Sequence, residues 1–160
     1  MTTSRFQSYI IDRTKNAANE FFRYAKAIPA NKLDFSVGGD ARTPLLIIQE
    51  VAMCPGWAAE LIDDRPVEWS EESMAAEFAY SSGLTTVEMC EAEFNKRMED
   101  FEKVVSSFPD DRLMNTKFLP FEGGRDFTYQ EMMDYPRWNL NYHTGQIALI
   151  QMAYGDKEMY

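Results

Sequence analysis

Residues 87–108 read VEMCEAEFNKRMEDFEKVVSSF, and the spacing within this stretch decides the fold. Val87, Cys90, Phe94, Met98, Phe101, Val105 and Phe108 recur at intervals of three or four, the period of one face of an α-helix. Charged residues fill most of the positions between them. Thr85 or Thr86 stands where a helix N-cap belongs, and Pro109-Asp110-Asp111 ends the run. A helix with one continuous apolar face has to bury that face against other elements.

Working outward, three more long segments carry helical patterns. The first runs from about Ser4 to Ala27, with Phe6, Ile10, Ala17, Phe21 and Tyr24 at helical spacing and Pro29 beyond its end. The next opens at Thr43-Pro44, where threonine caps and proline takes a first-turn position whose N–H would be unpaired anyway. It runs towards Ile62, with Pro55-Gly56 expected to kink or interrupt it. The last starts near Thr128, is disturbed at Pro136 and stops before Gly155. Residues 63–84 form a connection with a short helix over Glu71–Ala79, and the stretch holding Phe118, Leu119, Pro120, Phe121 and Gly123-Gly124 reads as a loop. There is no repeat, low-complexity tract or linker. The expectation is one all-α domain over residues 1–160, a four-helix bundle with long connections between helices 1 and 2 and between 3 and 4.

Composition narrows the function classes. In 160 residues, 45% are apolar, too many for a disordered chain, and the 10 methionines and 11 phenylalanines suit helix-on-helix packing. Sixteen basic against 26 acidic residues give a net charge of −10, and no Lys/Arg cluster exists to track phosphates, so nucleic acid is excluded as a partner. Cys54 and Cys90 lack the spacing of a thiolate metal site or a disulfide framework. Met1-Thr2-Thr3-Ser4-Arg5 leads into an amphipathic segment and not the apolar run of a signal peptide. No stretch is expected to approach the roughly 20 apolar residues that span a bilayer. A soluble cytoplasmic protein with no membrane partner is the expectation.

Two apolar stripes carry awkward polar groups. In the last helix Met132, Asn139, His143, Gln146 and Ile150 fall within an arc of about 60° at 100° per residue, with polar residues in the middle of the stripe. In the second, Glu50 lies among Leu46, Ile47, Cys54, Trp57 and Leu61 on the face expected to be buried, where a carboxylate is costly unless paired or metal-bound. Facing each other, Glu50, Asn139 and His143 would satisfy one another or share an ion.

The stretch Tyr135-Pro136-Arg137-Trp138-Asn139-Leu140-Asn141-Tyr142-His143-Thr144-Gly145-Gln146-Ile147 resembles the C-terminal motif of the DinB-like superfamily, and Thr43 to Glu50 is similar to that family's second-helix motif. The resemblance covers essentially the whole chain. It implies an up-and-down-like four-helix bundle with a left-handed crossover connection, often homodimeric. It also implies a metal site at Glu50, Asn139 and His143 for zinc, nickel or manganese, and metal-dependent hydrolase or small-thiol transferase chemistry. Only His143 keeps the residue type usual at those positions; Glu50 and Asn139 stand where histidines are expected.

Plainer readings stand beside these. His143 could be a core histidine hydrogen-bonded to Glu50 or Asn139, and Gln146 a residue that orients it. Glu50 could serve as a general base, or pair with an arginine from another helix. Cys54, one turn on, lines the pocket or is inert packing. Trp57, Trp138, Tyr135 and Tyr142 form a pocket wall or belong to the core. Glu71-Glu72 and Glu91/Glu93 read as solvated faces. No nucleophile elbow supports a serine triad. The alternative function is a non-catalytic bundle that has lost its metal and binds a small ligand or a second copy of itself.

Overall fold

A computed structural model describes residues 5–120 and 123–160, so Met1–Ser4, including the expected helix start at Ser4, and Phe121 of the expected loop lie outside the described residues. The protein is mostly helical. Helix α1 spans Arg5–Lys26, α2 Pro44–Ile62, α3 Glu71–Ser82, α4 Val87–Ser107 and α5 Tyr129–Ala153. The threonines cap as their positions predict. Thr43 accepts from the Leu46 N–H, Thr86 from that of Met89, and Thr128 forms a reciprocal capping box with Glu131.

Contacts among the long helices run in a closed ring: α1 against α5, α5 against α2, α2 against α4, and α4 against α1. Every residue of the α4 stripe from Val87 to Phe108 is buried, with Cys90, Phe101 and Val105 fully enclosed. Phe21 and Phe22 of α1 meet edge-on, and Phe22 continues the arrangement onto Phe94 of α4.

Four local expectations are corrected. Pro55 and Pro136 both sit inside unbroken helices and interrupt neither. At Gly56 the aliphatic part of Arg97 from α4 lies across α2, so close that a β-carbon there would stand 2.6 Å from Nη1. The short helix reaches Ser82 rather than Ala79. Part of the expected loop is an antiparallel hairpin, β1 (Thr116–Leu119) on β2 (Arg125–Thr128), with Thr116 opposite Thr128. Finally, α2 is by length and composition apolar enough to cross a membrane, but 14 of its 19 residues are buried within the fold, as in a central core helix.

The hairpin is anchored at the end of α2. Asp64, in the left-handed backbone region (φ 55°), accepts hydrogen bonds from Tyr129 (2.7 Å), Arg112 (3.0 Å) and Lys117 (3.0 Å). Burial alone would raise this carboxyl, but those three donors outweigh it and hold its pKa below the usual range. The start of α5 is thereby fixed against the end of α2, and the two helices run past each other at the site.

Candidate functional site

Asn139, His143 and Gln146 occupy successive turns of α5, and Glu50 faces them from α2. The fold brings together all four residues singled out by the two stripes. His143 Nε2 lies 3.0 Å from Glu50 Oε1, and His143 Nδ1 lies 2.7 Å from Gln146 Oε1. Asn139 Nδ2 donates to the same Glu50 oxygen at 3.4 Å, while its carbonyl oxygen is buried with no hydrogen-bond partner.

Burial separates these residues. Asn139 and His143 are enclosed, at 2% and 1% exposure. The Glu50 side chain is 41% exposed, which corrects the expectation that it is buried. Residue 50 sits at the edge of the α2 stripe, beside the exposed Leu46, while Ile47, Cys54 and Leu61 turn inward. The second Glu50 oxygen, Oε2, is ion-paired with Arg42. This arginine comes from the loop directly before the α2 cap and not from another helix. No periodicity points to a loop residue; its only signal is a lone cation next to Thr43.

The surroundings of the imidazole favour its neutral form. Burial is the main cause of a His143 pKa below the ordinary value; the hydrogen bond to Gln146 opposes it, and the charge of Arg42 adds to it. Burial also pushes the Cys54 thiol far up, which favours the protonated thiol of a packing residue. Burial, followed by the charge of Glu88, lifts Cys90 to about 11.

A cavity of about 460 Å³ opens over Glu50. Cys54, Trp57, Tyr135 and Asn139 line it as expected, and α3 adds Met74 and Phe78 across the mouth. The weak amphipathicity of α3, which buries only Ser81, gave no hint of that role. Tyr142 does not line the cavity. It is half exposed and stacks on Trp138 at 5.3 Å, with interplanar angle 13°. Trp57, Tyr135, Trp138 and Tyr142 form a continuous row of ring contacts that runs from the cavity lining onto the surface, where Trp138, like Tyr142, is half exposed and lies outside the lining of this cavity.

The donors fit a divalent cation through an imidazole nitrogen and a carboxylate oxygen on facing helices, both competent for zinc, nickel or manganese. The orphaned, buried Asn139 oxygen is a third acceptor beside them once its carboxamide turns. No group of three His, Cys, Asp or Glu that could hold a metal ion stands together among the described residues. No protein-family model and no curated protein matches the chain.

Proposed function

We propose that this chain is a metal-site protein of the DinB-like kind, a four-helix bundle in which Glu50 and His143, with Asn139 beside them, hold zinc, nickel or manganese at the floor of a small-molecule pocket. The closed ring of contacts through α1, α5, α2 and α4 supports the bundle. The observation that carries the site is the contact behind the imidazole. A carboxamide oxygen only accepts, so Gln146 Oε1 at 2.7 Å keeps the proton on Nδ1. With the ring neutral, Nε2 then presents a lone pair to a carboxylate oxygen 3.0 Å away. Two acceptors in that position repel unless a positive charge lies between them, and a divalent ion satisfies both.

The ion would supply Lewis acidity. The side chains do the rest. Gln146 fixes the imidazole tautomer, and Arg42 balances the charge on the outer Glu50 oxygen. Trp57, Met74 and Phe78 offer an apolar seat for the body of a substrate and keep water from it. The reaction class is hydrolysis or transfer to a small thiol, following the resemblance.

A second reading is favoured by the Arg42–Glu50 ion pair, which already gives the carboxylate a positive partner. With the Gln146 carboxamide turned over, Nε2–H donates to Glu50 and the cluster closes without an ion. The chain is then a non-catalytic bundle that binds a small ligand in the same cavity. The single histidine makes the two readings separable by ¹⁵N-resolved NMR of its side chain. The metal reading expects the Nδ1–H tautomer, with the Nε2 signal moving on addition of Zn²⁺. An Nε2–H tautomer indifferent to Zn²⁺, Ni²⁺ and Mn²⁺ would establish the second.

A further inference from the structure

A second cavity, of about 490 Å³, lies where the hairpin closes over α2 and α5. The strand register explains how the hairpin builds it. Leu119 pairs with Arg125 and Lys117 with Phe127, and residues directly opposite or two apart on such a ribbon share one face. That face turns to the helices: Lys117 Nζ donates to the Leu61 carbonyl at 3.0 Å, and Leu119 is buried. Phe118, on the other face, is 64% exposed. The cavity therefore has an apolar floor of Ala58, Leu61, Leu119 and Met132, none of them more than 4% exposed. Four rings, those of Trp57, Phe127, Tyr135 and Trp138, stand in its walls.

The charged groups of this lining are Arg125, Glu131 and Asp134, and each is matched within the chain. Arg125 reaches Glu131 at 3.2 Å and lies over the Phe127 ring, 3.5 Å from its centroid. Asp134 accepts from two nitrogens of Arg137, at 2.5 and 2.7 Å. A charged ligand would give up its water and meet only groups already neutralised, whereas an uncharged one loses little on entering. We propose that this cavity binds an uncharged, flat aromatic molecule of about two fused rings, at a site distinct from the cavity over Glu50. Rings that meet such a molecule face to face or edge to face add attraction beyond the burial of area. The two cavities are neighbours, because Trp57 and Tyr135 line both. The second is nevertheless independent of the proposed metal centre, since neither Glu50 nor His143 lines it.

The three tryptophans report the location of a ligand directly. Of the two cavities, Trp138 lines only the second, Trp57 lines both and Trp69 lines neither. In the full chain labelled with ¹⁵N at the indoles, titration with 1-naphthol is expected to move the Trp138 and Trp57 N–H signals together, approaching saturation by about 1 mM. Naphthalene-1-sulfonate and 1-naphthylmethylammonium, which carry a charge, should bind at least about tenfold more weakly. Decahydro-1-naphthol, which lacks the π system, should bind at least about threefold more weakly. Trp138→Ala, at a half-exposed residue, should leave the circular dichroism unchanged and weaken the binding seen at Trp57 at least about fivefold. Met74→Ala, at the mouth of the first cavity alone, should leave that binding as it is. A Trp138 signal that never moves, or equal binding of the charged or saturated analogues, would overturn the proposal. So would a Trp57 shift that Met74→Ala abolishes, because the ligand would then lie over Glu50.

Discussion

Glu50 on α2 and Glu93 on α4 sit on helices that pack against each other, and they have exchanged the roles their positions suggest. Glu93 belongs to a heavily charged helix, yet its side chain is only 8% exposed. Arg97 one turn on donates at 2.6 Å and Tyr80 at 3.0 Å. Burial would raise its pKa, but these partners outweigh burial and hold it below the usual carboxylate range. Glu50 belongs to the most apolar helix and is open to a cavity, with one oxygen on Arg42 and the other facing His143. The lesson concerns where a carboxylate finds its partners. One whose donors come from its own helix and from the helix just before it, Arg97 and Tyr80 here, is a structural group. One that meets side chains across a helix interface, beside a cavity, is the group on which the proposed metal site depends.

Breaking the structural member should cost the most. Glu93→Ala leaves Arg97 lying across Gly56 without its carboxylate, and is expected to destabilise the fold by about 2–3 kcal/mol in urea unfolding. The functional member should show the opposite behaviour. Glu50→Gln should stay within about 1 kcal/mol of the parent in the metal-free protein, because the group is exposed and its ion pair is screened. The same change should weaken Zn²⁺ binding in calorimetric titration. Equal losses of stability in the two variants would erase the distinction between the glutamates.

Gln146→Ala tests the other side of the imidazole. Removing the acceptor that holds Nδ1–H is expected to lower metal affinity about 10–100-fold with little effect on folding. An unchanged affinity would mean that the tautomer is set elsewhere.

Acid separates the two carboxylate environments through the histidine. The His143 pKa is lower in the folded state than the roughly 6.5 of an unfolded chain, so the unfolded state binds more protons there. Its contribution is therefore fully present above about pH 6.5 and is lost as pH falls from there through the folded value. Glu93, Asp64 and Asp100 are also depressed, and their contributions are lost at lower pH, through and below the ordinary carboxylate range. Urea midpoints of the metal-free protein between pH 7 and 5 should fall for the parent and stay flatter for His143→Gln. Parallel curves would show that the buried histidine does not titrate in that window.

Much of the fold could be read from sequence because its signals are local. Thr43, Thr86 and Thr128 mark helix starts by their own hydrogen bonds, and the α4 stripe is dictated by side-chain volume and spacing. The hairpin is not legible in the sequence because four residues per strand, half of them exposed, give too short an alternation to register, and its anchoring at Asp64 depends on contacts distant in sequence. The site was half legible for a related reason. Helical angles placed Asn139, His143 and Glu50 on converging faces. Angle alone does not tell how near the edge of a packed face a residue lies, which is where Glu50 and Glu93 part. Arg42 and the Met74/Phe78 rim come from a loop and a weakly patterned helix, whose positions only the assembled fold determines.

The most direct test of the Glu50–His143 site is elemental analysis of untagged protein, purified and then dialysed against Zn²⁺, Ni²⁺ and Mn²⁺ in turn. One ion per chain for at least one of these metals, lost in His143→Ala, is the predicted result. A parent protein that stays metal-free in all three would contradict it.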